Sequence, residues 1–388
     1  MSNIFYTATG IPVYQTRATS SQLNGEFIAI QGGFDLVAPL ANPVFTGTPA
    51  APTAAAGTST TQLATTAFCA ALAFSSTLPG QSSNGGKYIK TDGATATWQF
   101  LTMSRSARTT NTILAAADTN TWINATTSFS QTLTSPVTLG AGWYCFYTNS
   151  SATDMTFTPA AGNIDGAATG KLKAGTSIII FSDGANFLCE RVGARVRENL
   201  TSGTSYTTGL GIRVMETTLA GGGGSGGCSA SASVNGGGAS SGSAAKKLFT
   251  VSPNTAYAYT IGAGGASVNG NNINGNVGTS TTMTVGGTTV TANGGSAGQG
   301  GTAYVVVKVA AVSTNGDINV AGGYGMLIYD AGNHNSIGGS TPFGLGIGGT
   351  RDDSATAVVA TGYGAGGYGT VVNTASGAGM PGIIILEY

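Results

Sequence analysis

The sequence predicts a mainly β, multidomain protein with short N-terminal helices and a glycine-rich C-terminal segment. Most of the chain's 63 glycines lie after residue 200, and short β-rich runs alternate with turn residues from residue 108 onward. Helical periodicity is confined to the part before residue 80. A chain of 388 residues is long enough for about two to four domains. We divide it into residues 1–38, 39–107, 108–198 and 199–388.

Charge is scarce along the whole chain. Charged residues make up 8% of the sequence, with 15 basic and 15 acidic side chains, whereas about a quarter is usual for a soluble domain. Nucleic acid and anionic membranes attract basic surfaces, so neither is expected as a partner. With 41% hydrophobic residues and no net charge, the chain is expected to fold rather than stay disordered.

No cofactor, disulfide framework or membrane span is expected. The cysteines lie far apart, without metal-ligand spacing, so we predict free buried thiols at Cys69, Cys145, Cys189 and Cys228. The N-terminal residues lack the basic and apolar regions of a signal peptide. No apolar run reaches the roughly 20 residues of a membrane helix, so we expect folding in a cytosol and no membrane insertion.

Residues 1–38 are predicted to contain a helix that starts at Ser20 and ends at Gly32 and Gly33. Its apolar stripe consists of Leu23, Phe27, Ile30 and Phe34. The spacing of these residues fits an α-helix and also a heptad seam. A helix this short is marginal alone, so its stripe needs a partner, which is either the rest of the chain or the same helix of sister chains.

Residues 39–107 begin with a stiff connector. Prolines at positions 39, 43, 49 and 52 fix φ and remove amide donors, which favours an extended or polyproline conformation. Residues 60–72 then combine a threonine N-cap candidate with a stripe of small apolar residues, which predicts a second short helix.

Residues 108–198 are expected to form a compact β-rich domain. Candidate strands span residues 143–147, 154–158 and 177–181, and Asp-Gly turns are predicted at residues 163–166 and 182–186. Residues 191–198 hold the densest charge in the chain, which is typical of a solvated boundary between domains.

Residues 199–388 still contain recognisable strands. Tyr257, Tyr259 and Ile261 alternate to one face, and Gly286-Gly287 predicts a hairpin within residues 283–290. The apolar runs 304–309 and 383–386 are predicted to be central strands. The glycine clusters are then loops between strands, or else packed polyglycine or polyproline II helices.

Several segments resemble tail fibres of tailed bacteriophages. Residues 41–68 contain Pro-Val-Phe-Thr-Gly-Thr-Pro and end in Gln-Leu-Ala-Thr-Thr-Ala-Phe, which is similar to the recurring shaft module of these fibres. Residues 5–31 are similar to their N-terminal segment, and residues 108–192 resemble the β-rich domain between shaft and tip. In the glycine-rich segment the resemblance covers residues 219–224, 259–265, 316–320, 338–344 and 379–385.

This resemblance implies an elongated homotrimeric fibre in the phage tail of the virion, assembled in the host cytoplasm. Residues 1–38 would attach it to a phage tail or baseplate protein, and residues 39–107 would form the shaft. Residues 199–388 would form a tip that binds a bacterial surface receptor, either an outer-membrane protein or a polysaccharide. Two other functions stay open, namely a polysaccharide-degrading tail spike and a structural fibre protein without receptor contact.

The sequence offers little catalytic chemistry. His334, the only histidine, lies between Asn333 and Asn335 and is expected to be a polar loop residue and a weak metal-ligand candidate. Asp352 and Asp353 are adjacent carboxylates, but neighbours in an extended chain point to opposite faces, whereas glycosidases hold two carboxylates across a defined gap. We therefore predict that the protein is not an enzyme.

Aromatic side chains in glycine-flanked loops are the stronger receptor-binding candidates. Such rings give a large contact area at low entropic cost. The candidates are Tyr324, Tyr329, Phe343, Tyr363 and Tyr368, with Arg351, Asp352 and Asp353 as polar partners.

Overall fold

The computed structural model describes residues 19–35, 52, 87–91, 96–100, 103–301, 310–330, 333–352 and 357–388. The chain divides into two compact units, Met1–Thr102 and Met103–Tyr388. Strand exceeds helix in the described part, which confirms the mainly β prediction. The first unit contains helix α1 (Ser20–Asp35) and the hairpin of β1 (Lys87–Thr91) and β2 (Ala96–Phe100). The proline-rich connector, apart from residue 52, and the second predicted helix lie outside the described residues.

Helix α1 begins with a capping box. The Thr19 amide donates to Gln22 Oε1 at 2.9 Å, and the Gln22 amide donates back to Thr19 Oγ1 at 3.4 Å. The prediction that Gly32 and Gly33 end the helix is wrong, because it continues to Asp35. Glycine in a helix interior costs only about 1 kcal/mol relative to alanine, so two glycines weaken a helix without necessarily ending it.

The second unit starts with two facing sheets. The first has the strand order β10-β9-β6-β4-β3 and the second β5-β7-β8. Their strands are β3 (Ser104–Arg108), β4 (Thr121–Ala125), β5 (Ser130–Leu133), β6 (Tyr144–Asn149), β7 (Met155–Pro159), β8 (Gly170–Leu172), β9 (Ser177–Ser182) and β10 (Phe187–Val192). A 3₁₀ turn (Ala116–Asp118) and a single helical turn, α2 (Pro136–Leu139), connect them. The three predicted strands are confirmed within two residues at each end.

Burial alternates along these strands, so one face of each sheet forms the core. Tyr147 and Phe157 meet edge to face with ring centroids 4.9 Å apart, and the Tyr147 hydroxyl donates to the buried Gln131 Oε1 at 2.8 Å. The predicted turn at residues 182–186 is confirmed: Asp183 Oδ1 accepts from the Ala185 and Asn186 amides at 2.7 and 2.6 Å.

The described cysteines are free and buried, as predicted; Cys69 lies outside the described residues. Cys145 and Cys189 pair with Ile180 from opposite sides, so two strand spacings separate them. That separation, about 10 Å, is too large for a disulfide, which requires Cα atoms within about 7 Å. Burial raises the pKa of both thiols, which keeps them protonated.

The glycine-rich segment adds two larger sheets around a second core. One has the order β11-β25-β13-β14-β18 and the other β12-β15-β16-β17. The first comprises β11 (Arg197–Leu200), β13 (Val214–Ala220), β14 (Ala244–Thr250), β18 (Ile318–Val320) and β25 (Ile383–Glu387). The second comprises β12 (Ser205–Thr207), β15 (Ala256–Thr260), β16 (Thr281–Val285) and β17 (Thr288–Ala292).

Two predictions for this segment are confirmed. Gly286 and Gly287 join β16 to β17 with φ of 56° and 80°, the left-handed geometry that glycine permits. Strand β25 lies between β11 and β13, so it is central. The run 304–309 lies outside the described residues.

Two small sheets complete the unit. The four-stranded sheet, in the order β19-β20-β22-β23, consists of β19 (Met326–Asp330), β20 (Asn333–Ile337), β22 (Thr350–Arg351) and β23 (Ala357–Val358). The two-stranded ribbon consists of β21 (Gly346–Ile347) and β24 (Thr361–Gly362), and a 3₁₀ turn spans Pro342–Gly344.

The charged residues 191–198 span the end of β10 and the start of β11, and none of them is buried. Arg197 and Glu198 begin β11, which pairs with β25 near the C-terminus. Glu198 accepts a hydrogen bond from the Tyr388 hydroxyl, and Lys173 lies 3.8 Å from the same carboxylate. Arg195 and Glu198 therefore stay partly exposed while they pair with residues remote in sequence.

Asp165 joins the middle sheets to the glycine-rich segment. Its carboxylate is completely buried and accepts from the Cys189 amide at 3.0 Å, the Gly211 amide at 2.8 Å and the Arg213 guanidinium at 3.1 Å. A buried charge needs this full set of partners, because desolvation without them is very costly. The carboxylate therefore fixes residues 209–213 against the middle sheets.

We expect Asp165→Ala to lower the free energy of unfolding by about 3–5 kcal/mol, because it leaves two amides and an arginine without their buried partner. Urea denaturation followed by tryptophan fluorescence measures the change. Arg195→Ala is the control, since it breaks the exposed pair with Glu216 and should cost no more than about 1 kcal/mol. Equal losses in the two variants would contradict the role of Asp165.

Candidate functional site

Backbone hydrogen bonds with a three-residue period organise the glycine-rich segment. Successive amides of residues 221–228 donate to three neighbouring segments in turn, at 2.8–3.1 Å. The amides of Gly222, Ser225 and Cys228 donate to Thr279, Asn276 and Ile273; those of Gly223 and Gly226 to Met380 and Gly377; and those of Gly221, Gly224 and Gly227 to Ser243, Ser240 and Gly237. Three residues per turn is the repeat of the polyproline II helix.

Carbonyls of the same central segment accept from further neighbours. Those of Gly222 and Ser225 accept from Gly295 and Gly298, those of Gly224 and Gly227 from Gly367 and Thr370, and that of Gly223 from Gly265. Six chain segments therefore surround residues 221–228. We call this arrangement the glycine lattice.

Close backbone packing explains why glycine occupies these positions. A Cβ atom added to Gly223 would lie 2.0 Å from the Ala365 carbonyl oxygen, and one on Gly226 would lie 1.8 Å from that of Tyr368. Both distances are far below van der Waals contact. The prediction that glycine clusters are loops between strands is wrong for these runs, and the polyglycine alternative describes them.

The lattice holds two predicted receptor candidates on neighbouring segments. Ser241 Oγ accepts from the Gly323 amide at 2.7 Å and donates to the Ser340 carbonyl at 3.0 Å. Tyr324 directly follows Gly323 in the chain, and Phe343 lies three residues after Ser340. Both rings are about half exposed.

Phe343 occupies an unusual backbone conformation. Its φ is 60° and its ψ 17°, and the following Gly344 also has a positive φ of 69°. A bulky residue in this left-handed region is strained, and such strain often marks a functional position. The ring lies 5.5 Å from Lys246 Nζ, a cation–π contact that leaves 43% of the residue exposed.

Other candidates are placed differently from the prediction. Tyr368 and Arg351 are buried, each only 9% exposed, because Tyr368 packs within the lattice and Arg351 lies on the inner face of a sheet. Tyr363 is half-buried beside the small cluster formed with Ala220 and Ile383.

The remaining candidates are Tyr329, His334, Asp352 and Asp353. Asp352 is exposed, Asp353 lies outside the described residues, and Tyr329 lies in β19. His334 lies in β20 and is buried, so the expectation of a loop is wrong; the turn signal of its asparagine neighbours was overridden by pairing with β19. In the described part of the chain, no group of three or more His, Cys, Asp or Glu side chains could hold a metal ion.

Sequence reasoning missed three exposed apolar residues near these candidates. Ile347, Val358 and Val359 are 70%, 57% and 66% exposed. Ile347 pairs with Thr361, and Val358 pairs with Thr350. Their β-branched type indicates strand, but only the sheet order shows that they face solvent.

One comparison with known proteins gives a match. Residues 199–388 match the family model described as a glycine-rich domain. This glycine-rich domain covers slightly less than half of the chain and contains the lattice and every candidate above. No curated protein matches the chain. Among the described helices, none is long and apolar enough to span a membrane.

We expect Gly226→Ala to destabilise the glycine-rich domain by at least about 4 kcal/mol, because the new methyl group meets backbone that cannot move aside. Thermal unfolding monitored by circular dichroism measures this loss. Gly32→Ala in α1 is the control: a Cβ there meets nothing within 4 Å, so this change should be neutral or slightly stabilising. Normal stability of Gly226→Ala would contradict the close packing.

Proposed function

We propose that the chain is a tail fibre, or receptor-binding protein, of a tailed bacteriophage, and that its glycine-rich domain attaches the virion to the host cell surface. Two findings support this proposal. The segments that resemble phage fibres extend through the domain, and the lattice in that domain carries half-exposed Tyr324 and Phe343 on adjoining segments.

The observation that carries the proposal is the strained turn at Phe343. The backbone of Phe343 is held at φ 60° beside a densely hydrogen-bonded support, which restricts the positions that its exposed ring can occupy. Binding then loses little conformational entropy, which is the advantage of a preorganised binding surface. Glycine would adopt this conformation without strain, whereas phenylalanine adopts it at a cost in free energy.

The proposed assembly is a homotrimer. All four residues of the predicted α1 seam are exposed by at least 38%, and Phe27 and Phe34 by 66% and 72%. Water is an unfavourable environment for such a stripe, and sister helices would cover it. Three tips per fibre would then strengthen weak contacts through multivalency.

We further propose that the N-terminal segment attaches to a phage tail or baseplate protein, and that the fibre is assembled in the host cytoplasm. In this proposal the protein binds the host surface and does not catalyse a reaction. The receptor is a bacterial outer-membrane protein or polysaccharide.

We expect Phe343→Gly to reduce binding of the labelled full-length protein to bacteria about tenfold or more, because it removes the ring while relieving backbone strain. Binding is measured by flow cytometry on a strain that the wild-type protein binds. Phe181→Ala is the control, since this ring of the middle sheets is comparably exposed, at 39%.

Three outcomes would count against receptor binding through this turn. Unchanged binding of Phe343→Gly would remove the turn from the receptor site. Failure of the wild-type protein to bind any strain of a broad panel would favour a structural fibre protein. Release of shortened saccharides from bound cells would identify a polysaccharide-degrading tail spike.

For the assembly, we expect Phe27→Glu to shift the full-length protein from trimer toward monomer, because it places a charge in the apolar seam. Sedimentation equilibrium measures the mass. Ile28→Glu is the matched control, because Ile28 is 62% exposed on the same helix but lies outside the stripe. A monomeric wild-type protein, or equal effects of both changes, would refute this seam.

A further inference from the structure

A pocket of about 250 Å³ lies on the four-stranded sheet of the glycine-rich domain. Two rows of paired residues line it. Ser336 and Arg351 form one row, and Ile337, Thr350 and Val358 form the next. Strands β22 and β23 have only two residues each, so their lining residues all lie at strand ends. The volume is sufficient for one small ring with several substituents.

Arg351 carries a buried positive charge without a counter-ion among the described residues. The residue is 9% exposed, and its Nε is enclosed without a hydrogen-bond partner. None of the ion pairs between described residues includes its guanidinium. A buried charge without a partner is very costly, because no attraction to an opposite charge offsets its desolvation. An anion bound beside Arg351 would remove this cost.

The Asp352 carboxylate lines the same pocket but does not pair with Arg351. Asp352 is exposed and has an interaction partner within the chain. Consecutive side chains of a strand point to opposite faces, so these two neighbours diverge. Arg351 is therefore the cation that the pocket offers to a ligand, and the nearby Asp352 disfavours ligands with more than one negative charge.

The guanidinium of Arg351 matches a carboxylate. Its Nε–H and the adjacent Nη–H form a planar fork that can donate to both oxygens of one carboxylate or phosphate. A carboxylate carries a single negative charge, which one guanidinium balances. A phosphate dianion would keep excess negative charge close to Asp352.

The other lining residues favour a ligand that also has hydroxyl groups. Asn335 Oδ1 is buried without a hydrogen-bond partner, so it can accept from a ligand donor. The exposed Thr350 hydroxyl can donate and accept. Ile337 and Val358 supply apolar surface beside these groups. A carboxylate, hydroxyls and an apolar C–H face occur together in a sugar acid.

We propose that this pocket binds an acidic sugar, such as a uronic acid, of a bacterial surface polysaccharide. Its carboxylate pairs with Arg351, and its hydroxyls bond to Asn335 and Thr350. The C–H face of the ring packs on Ile337 and Val358. This inference rests on the proposed adhesive function and selects polysaccharide over protein as the receptor. An aspartate or glutamate of a protein receptor would supply the carboxylate without the ring hydroxyls.

Saturation-transfer NMR on the full-length protein tests the ligand class. The acidic sugars are glucuronate and galacturonate. Glucose lacks the carboxylate, cyclohexanecarboxylate lacks the hydroxyls, glucose 6-phosphate carries phosphate instead, and N-acetyl-glutamate amide represents a protein side chain. We expect at least one acidic sugar to bind more tightly than all four of these probes, with a dissociation constant on the order of 1 mM.

Arg351→Met separates a binding role from a structural one. Methionine removes the charge and the donors, so the affinity for the acidic sugar should fall about tenfold or more. The variant without ligand no longer buries an unpaired charge, so its midpoint of thermal unfolding should stay the same or rise. Arg197→Met is the matched control, because Arg197 is an exposed arginine of strand β11. This control should leave the affinity unchanged.

Several outcomes would overturn the acidic-sugar pocket. These are binding of neither acidic sugar, equal or tighter binding of any other probe, and equal effects of the two methionine variants on affinity. An unfolding midpoint of Arg351→Met well below those of the wild type and Arg197→Met would show that the charge is structural, and would also overturn it.

Cell binding separates this inference from the function on which it rests. A wild-type protein that binds cells but no acidic sugar would overturn the pocket and leave the adhesive function intact. Acidic-sugar binding without binding to any strain of the panel would support the pocket and overturn the adhesive function.

Discussion

The three-residue hydrogen-bond period of residues 221–228 is the constraint on which the glycine-rich domain depends. Its amides and carbonyls are directed at six surrounding segments, so backbone packs against backbone with no side chains between. Only glycine permits this approach, because a Cβ atom added to Gly226 would lie 1.8 Å from the Tyr368 carbonyl oxygen. Glycine loses more conformational freedom on folding than any other residue. The dense network of satisfied backbone groups and the apolar core beside it offset that loss.

Within the glycine-rich domain, this constraint also favours a low number of charged side chains. A lattice of backbone groups leaves few positions where a side chain faces water, and those positions lie at its edges. Ser241 shows how the lattice defines the surface, because its one hydroxyl fixes both the segment before Tyr324 and the segment before Phe343. The strained turn at Phe343 is thus attached to a support of hydrogen-bonded backbone segments.

The middle sheets and the glycine-rich domain form one compact unit, although the sequence suggests separate domains. The Asp165 carboxylate accepts hydrogen bonds from both sides of the junction. The Cys189 amide donates from the middle sheets, and the Gly211 amide and the Arg213 guanidinium donate from the glycine-rich segment. Glu198 accepts a hydrogen bond from the Tyr388 hydroxyl. Burial is the main cause that raises the pKa of Tyr388, and this hydrogen bond raises it further, so the hydroxyl stays protonated and remains a donor. These buried contacts connect residues that are far apart in sequence, and composition gives no indication of them.

The sequence by itself determined the secondary-structure elements that depend on local residue preferences. The hairpin at Gly286-Gly287, the strands of the middle sheets, helix α1 and the central strand β25 follow from turn preferences and apolar periodicity. Tertiary structure decided the rest. It placed the glycine runs in a lattice rather than in loops, buried Tyr368, Arg351 and His334, and exposed Ile347 and Val358. The reason is physical: these outcomes depend on hydrogen bonds and strand pairings between distant segments, whereas residue type and spacing specify only local geometry.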